Sequence, residues 1–117
     1  MCLYTYKFTL DRVVDGDTVM GRVDLGFNLG ADVRVRLEGY DSAETWRPAS
    51  VEEEKAGRVV KAHLVDMLKE EELILKSHKL DIYNRPIGEL YIGDQSVNDL
   101  MKTFITVNKL EKARFRP

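Results

Sequence analysis

Three short stretches hold side chains whose types and spacing suit chemistry on a charged substrate. Asp15-Gly16-Asp17-Thr18 sets two carboxylates on either side of a glycine. Asp-Gly is a favoured turn pair, so the plain reading is a tight turn between strands. Two carboxylates held close are also part of a hard-oxygen cation site, provided further oxygens arrive from elsewhere. The spacing is not that of an EF-hand loop, so those oxygens must come from a distant part of the chain. Arg36-Leu37-Glu38-Gly39-Tyr40-Asp41-Ser42-Ala43-Glu44 can supply them, with one guanidinium and the carboxylates of Asp41 and Glu44 leaving one strand end. Tyr83-Asn84-Arg85 adds a second guanidinium. A phosphodiester under attack by water gathers charge on its nonbridging oxygens. A divalent cation withdraws density from one of them and acidifies water. Guanidinium forks match phosphate oxygens and stay charged near neutral pH. Taken singly, each arginine is what an ordinary solvated surface carries.

The elements that must position these groups are readable from periodicity. Leu3 to Val14, rich in Tyr, Thr, Phe and Val, has the composition of a strand. A second strand is predicted from about Thr18 to Phe27, with a turn at Asn28-Leu29-Gly30-Ala31-Asp32. In the third, Val33, Val35 and Leu37 share one face while Arg34, Arg36 and Glu38 share the other. Ser50 with Glu53 forms a capping-box pattern, followed by an apolar stripe of Ala56, Val59, Val60, His63, Leu64, Met67 and Leu68. Leu73 to Lys79 and Gly88 to Ile92 read as two more strands. Ser96 caps a second helix with the stripe Val97, Leu100, Met101, Phe104 and Ile105. The order β-β-β-α-β-β-α is mainly β with two helices, an α+β chain, and fits a five-stranded barrel of the OB type.

Composition sets outer bounds. The 117 residues are enough for a single domain spanning 1–117, with no repeat, linker or low-complexity segment. One cysteine, Cys2, excludes an internal disulfide and any multi-cysteine metal site. No apolar run approaches the length that spans a bilayer, so no membrane association is expected. The first residues show no basic stretch followed by an apolar one, which leads to the expectation of a cytoplasmic protein unless a leader has been removed. The formal net charge of -2 requires a nucleic-acid binder to concentrate its basic groups locally or to recruit a cation. Glu52-Glu53-Glu54 and Glu70-Glu71-Glu72 read as solvated helix ends, and the stretch from Lys109 to Arg116 as a frayed basic tail.

The joint order of Asp-Gly-Asp-Thr, then Arg five residues before Asp with Glu three after, then Tyr-x-Arg ahead of a Gly-led strand, resembles the staphylococcal nuclease (thermonuclease) family from about Val13 to Ile105. Asp24-Leu25-Gly26-Phe27 is similar to short bacterial and phage members. The resemblance implies a calcium-dependent nuclease that hydrolyses DNA and RNA, single-stranded or locally unpaired, and leaves 3′-phosphate ends. It implies Asp17, Asp41 and the Ser42 backbone carbonyl as calcium ligands, with Asp15 acting near the metal through water. Glu44 is implied as general base, Arg36 and Arg85 as the arginines on the scissile phosphate, and Tyr83 as a phosphate hydrogen-bond donor. No protein partner is implied.

Several positions depart from the family's pattern. Ala43 stands for a proline and Ile82 for a lysine, and Pro86-Ile87 lengthens the turn after Arg85. The base-stacking tyrosines have no counterparts near Glu111 and Ala113, and the sequence stops before the position of the family's C-terminal helix. Stacking contributes about 1–3 kcal/mol per base, so weaker substrate binding is expected. Trp46 could replace that surface or pack its loop, and His78 could help a basic strand face the nucleic acid. His63 reads as a core-edge residue. The alternative reading is an OB-fold nucleic-acid-binding module with weak or absent catalysis.

Overall fold

Alternation along the first three strands, shifted in the first by bulges between Leu10 and Arg12 and between Val13 and Asp15, produces one dry face and one wet face. The computed structural model describes residues 4–43, 45, 48–80 and 86–115, the side chains of 78–80 and 86 excepted. Strand β1 runs Tyr4–Asp15, β2 Thr18–Gly26 and β3 Leu29–Leu37. Helix α1 follows over Val51–Leu68, then β4 Leu73–Leu80, β5 Pro86–Ile92, the two-residue β6 Gln95–Ser96 and helix α2 Val97–Asn108. The sheet order is β3-β2-β1-β4-β5-β6, and β3 also pairs with β5, in parallel, through Arg36↔Ile87 and Leu37↔Gly88. That last pairing closes the five long strands into a mixed barrel. The expected order of elements is therefore observed, with β6 and a short 3-10 turn over Lys112–Phe115 added to it.

Val19, Val35, Leu37, Leu75 and Leu90 point into the barrel, where α1 and α2 seal it with Val60, Leu64, Val97 and Met101. Val59, expected on the α1 stripe, is instead half exposed. His63 stacks on the Phe104 ring, with centroids 3.8 Å apart, and so joins the two helices at the edge of the core. Both helix caps form as read: the Ser50 hydroxyl accepts from the Glu53 amide, and the Ser96 hydroxyl from the Asp99 amide. Glu53 is not a solvated helix end. Its carboxylate turns back to accept from the Ala49 amide, and the residue is fully buried. The expected turn over residues 28–32 is shorter than read. Phe27 (φ 54) and Asn28 (φ 62) alone make a two-residue hairpin loop, and β3 starts at Leu29. A phenylalanine at positive φ is an unfavoured choice, which is why the composition did not mark it as a turn residue. Among the described residues no helix is long and apolar enough to cross a membrane.

Candidate active site

The first loop and the end of β3 meet because backbone groups hold them together. The Leu37 amide donates to the Asp17 carbonyl at 2.8 Å, continuing the β2–β3 ladder toward the loop. The Tyr40 hydroxyl donates to the Gly16 carbonyl at 2.7 Å, tying the segment after β3 to the same loop. Gly16 leaves no room for a side chain. A Cβ there would stand 2.2 Å from Ser42 Oγ and 2.3 Å from Val60 Cγ1. Its φ is not positive, so the glycine serves close packing and not turn conformation.

This closeness brings Asp17, Arg36, Asp41 and Ser42 to one point. Arg36 lies between the two carboxylates, with Nη1 3.1 Å from Asp17 Oδ2 and Nη2 paired to Asp41 Oδ1. Nη1 also donates to the carbonyls of Leu37 (3.0 Å) and Tyr40 (3.2 Å), which fixes the guanidinium plane. The Ser42 amide donates to Asp17 Oδ2 at 3.1 Å, and the Thr18 hydroxyl donates to Asp17 Oδ1 at 3.1 Å. Burial pushes the Asp17 carboxyl above its usual range, and Arg36, the Ser42 amide and the Thr18 hydroxyl pull it back only in part. Burial, with the Asp17 charge beside it, also raises the Tyr40 phenol well above its ordinary value, so it stays a donor. Asp15 is tied differently: its Oδ1 accepts from the Thr45 amide at 3.1 Å and the Thr45 hydroxyl at 2.8 Å.

Ala43 and Thr45, on either side of Glu44, are both anchored here, Ala43 through its amide to the Leu110 carbonyl at 3.4 Å. Glu44, Trp46, Tyr83 and Arg85 themselves lie outside the described residues, as does the His78 side chain. The expected frayed tail is instead folded against the site, with Glu111 bridged to Ser42 ahead of the 3-10 turn. A cleft of about 550 Å³ opens beside Asp41, lined by Tyr40, Ile105, Lys102, Lys112 and the two positions Glu111 and Ala113. Tyr40 and Thr45 have no charge and no motif spacing, so only their neighbours in sequence pointed to them.

The donor chemistry suits a hard cation. Asp17 and Asp41 reach the same guanidinium from two loops, and both bring carboxylate oxygens. Among the described residues no three His, Cys, Asp or Glu side chains gather closely enough to hold a metal unaided, so backbone or further oxygens must complete any such site.

A thermonuclease from Staphylococcus intermedius is 29% identical over 114 residues, covering 95% of this chain. The chain is distantly similar to that thermonuclease. It spans 61% of that relative's length. No family model matches the chain. The closed barrel accords with that similarity.

Proposed function

We propose that this chain is a calcium-dependent nuclease that hydrolyses phosphodiester bonds in single-stranded or locally unpaired DNA and RNA and leaves 3′-phosphate ends. The observation that carries the reading is one guanidinium held between two carboxylates from loops far apart in sequence. Asp17, Asp41 and the Ser42 carbonyl are the residues we assign to hold calcium, with Asp15 nearby. Calcium, when bound, supplies Lewis-acid polarisation of a phosphate oxygen and acidifies water. Asp17 is already bonded to the Ser42 amide and Thr18 hydroxyl, so its carboxylate is aimed before any ligand arrives. Arg36 is pre-set by two backbone carbonyls and can turn its remaining donors to the scissile phosphate once the carboxylates are neutralised. We assign Arg85 to the same scissile phosphate, Tyr83 to a phosphate of the nucleotide, and Glu44 to alignment of the attacking water. Alignment of that water is the main part we assign to Glu44.

The test is digestion of single-stranded DNA with calcium, with chelator, and with Glu44→Gln, followed by end-group analysis. Calcium-dependent products with 3′-phosphate ends and a large loss in Glu44→Gln are expected. Undiminished cleavage in chelator overturns the metal role. Arg36→Lys should lose about 2.7–4 kcal/mol of transition-state stabilisation, the usual loss for a missing charge-stabilising donor. Wild-type rates in that variant overturn the clamp. A chain that is inert but still binds oligonucleotide is the binding module instead.

A further inference from the structure

Arg36 leaves β3 on the outer face of the barrel, and that face continues away from the carboxylates. Alternation puts Arg34 on it two residues back, about 6.6–6.8 Å along the strand. Register sets Met20 of β2 opposite Arg34, and Arg12 of β1 opposite Met20. Both guanidiniums reach the Met20 thioether, Arg12 Nη2 at 3.3 Å and Arg34 Nη2 at 3.9 Å. A thioether is a weak acceptor and neutralises neither charge. Both arginines are exposed, and among the described residues neither has a carboxylate partner. Two like charges drawn to one sulfur repel, and an anion seated between them relieves that repulsion.

The positive spot is short. In the next row Arg22 is neutralised by Asp32 at 3.2 Å, and beyond it Asp24 caps the hairpin by accepting from the Gly26 amide. Asp11, left unpaired by the bulge between Leu10 and Arg12, bounds it on the β1 side. The row therefore has space for one phosphate and not for a long track.

We propose that Arg12 and Arg34 form a second phosphate subsite, which takes the phosphate next along the strand from the one at Arg36. The substrate is then a polynucleotide and not an isolated diester. The proposal rests on the nuclease reading for the position of the first phosphate, and it explains how a chain of net charge -2 meets a polyanion.

The experiment compares wild type with R12Q/R34Q, which keeps both aliphatic stems on exposed positions. A matched control, K55Q/K69Q, removes two exposed cations from α1 and its end. For calcium-dependent cleavage of a short thymidine oligomer, R12Q/R34Q raises KM several-fold with kcat unchanged. Its dependence of log KM on log salt becomes shallower by about 0.7, the contribution of one single-strand phosphate. On bis(p-nitrophenyl) phosphate, which carries one diester, wild type and R12Q/R34Q behave alike, and K55Q/K69Q matches wild type on both substrates. Equal KM and equal salt slope on the oligomer overturn the subsite, as does an equal loss on the single diester. If wild type cleaves neither substrate, the nuclease reading falls. Fluorescence anisotropy of the labelled oligomer then decides: several-fold weaker binding by R12Q/R34Q with the shallower slope sustains the subsite, and unchanged affinity overturns it.

Discussion

Gly16 carries a constraint that the turn rules do not express. With Ser42 Oγ and Val60 Cγ1 both closer than 2.5 Å to where a Cβ would sit, Gly16→Ala must move the loop, the serine or helix α1. Overpacking of this kind costs about 1–3 kcal/mol, to be read as a lower urea midpoint with an unchanged m-value. The Ser42 amide holds Asp17, so calcium-dependent cleavage should fall in the variant even where it remains fully folded; wild-type rates there would show that loop and serine are not coupled. Tyr40 offers a pH test at the same point. Its phenol is raised above the ordinary 10.0 by burial and by the Asp17 charge. The unfolded phenol loses its proton near that pH while the folded one keeps it, so the folded state binds more protons there and stability falls as pH rises. Tyr40→Phe should cost about 0.5–1.5 kcal/mol at neutral pH for the lost bond to Gly16, and that difference should shrink above pH 10.0. Denaturant midpoints of the two proteins against pH measure it, and a constant gap contradicts it.

At the scale of elements, what was legible in the sequence was local. Val33, Val35 and Leu37 announced which face of β3 is dry, and by the same alternation Arg36 had to leave on the wet side. Ser50 and Ser96 announced the helix starts because a cap is settled by neighbours three residues apart. The charged set was visible as residue types, but its meeting depends on groups without a signature, such as the Tyr40 hydroxyl. Closure of the barrel was equally hidden, since it rests on a pairing between β3 and β5 across half the chain. Asn98 secures that closure. It sits on the buried side of α2 and accepts from the Leu90 amide at 3.1 Å, while its Nδ2 donates to the carbonyls of Glu38 (2.8 Å) and Gly88 (3.0 Å). In the sequence it is one more polar residue in a helical first turn. Asn98→Leu should leave the Leu90 amide and the Glu38 carbonyl short of a partner, while the Gly88 carbonyl keeps the Glu38 amide, at about 1–3 kcal/mol for each group left unpaired before relaxation. Hydrogen exchange should show the Leu90 amide, which it bonds directly, losing protection before those of the β2–β3 hairpin. Uniform loss across all strands would argue against a local staple.

The whole molecule places its candidate ligands on segments that only folding joins. Asp17 lies in the loop before β2, Asp41 and Ser42 beyond β3, and the bonds between them span up to 25 residues. A cation held by both segments would bind the folded chain and not the unfolded one, so the proposed calcium site predicts a rise in apparent stability by mass action. At a hundredfold excess over the dissociation constant the gain is about 2.7 kcal/mol, enough for a clear rise in Tm in a chain of this size. The rise should continue with the logarithm of calcium concentration and should be absent in Asp17→Asn. Asp41→Asn should behave likewise, although Asp41 is far more exposed than Asp17, because one carboxylate alone is a poor hard-cation site. The test separates binding from catalysis, since Glu44→Gln should keep the calcium-dependent rise while losing turnover. Equal shifts in wild type, Asp17→Asn and Asp41→Asn would place calcium elsewhere, and would leave Arg36 between its carboxylates as a structural ion pair.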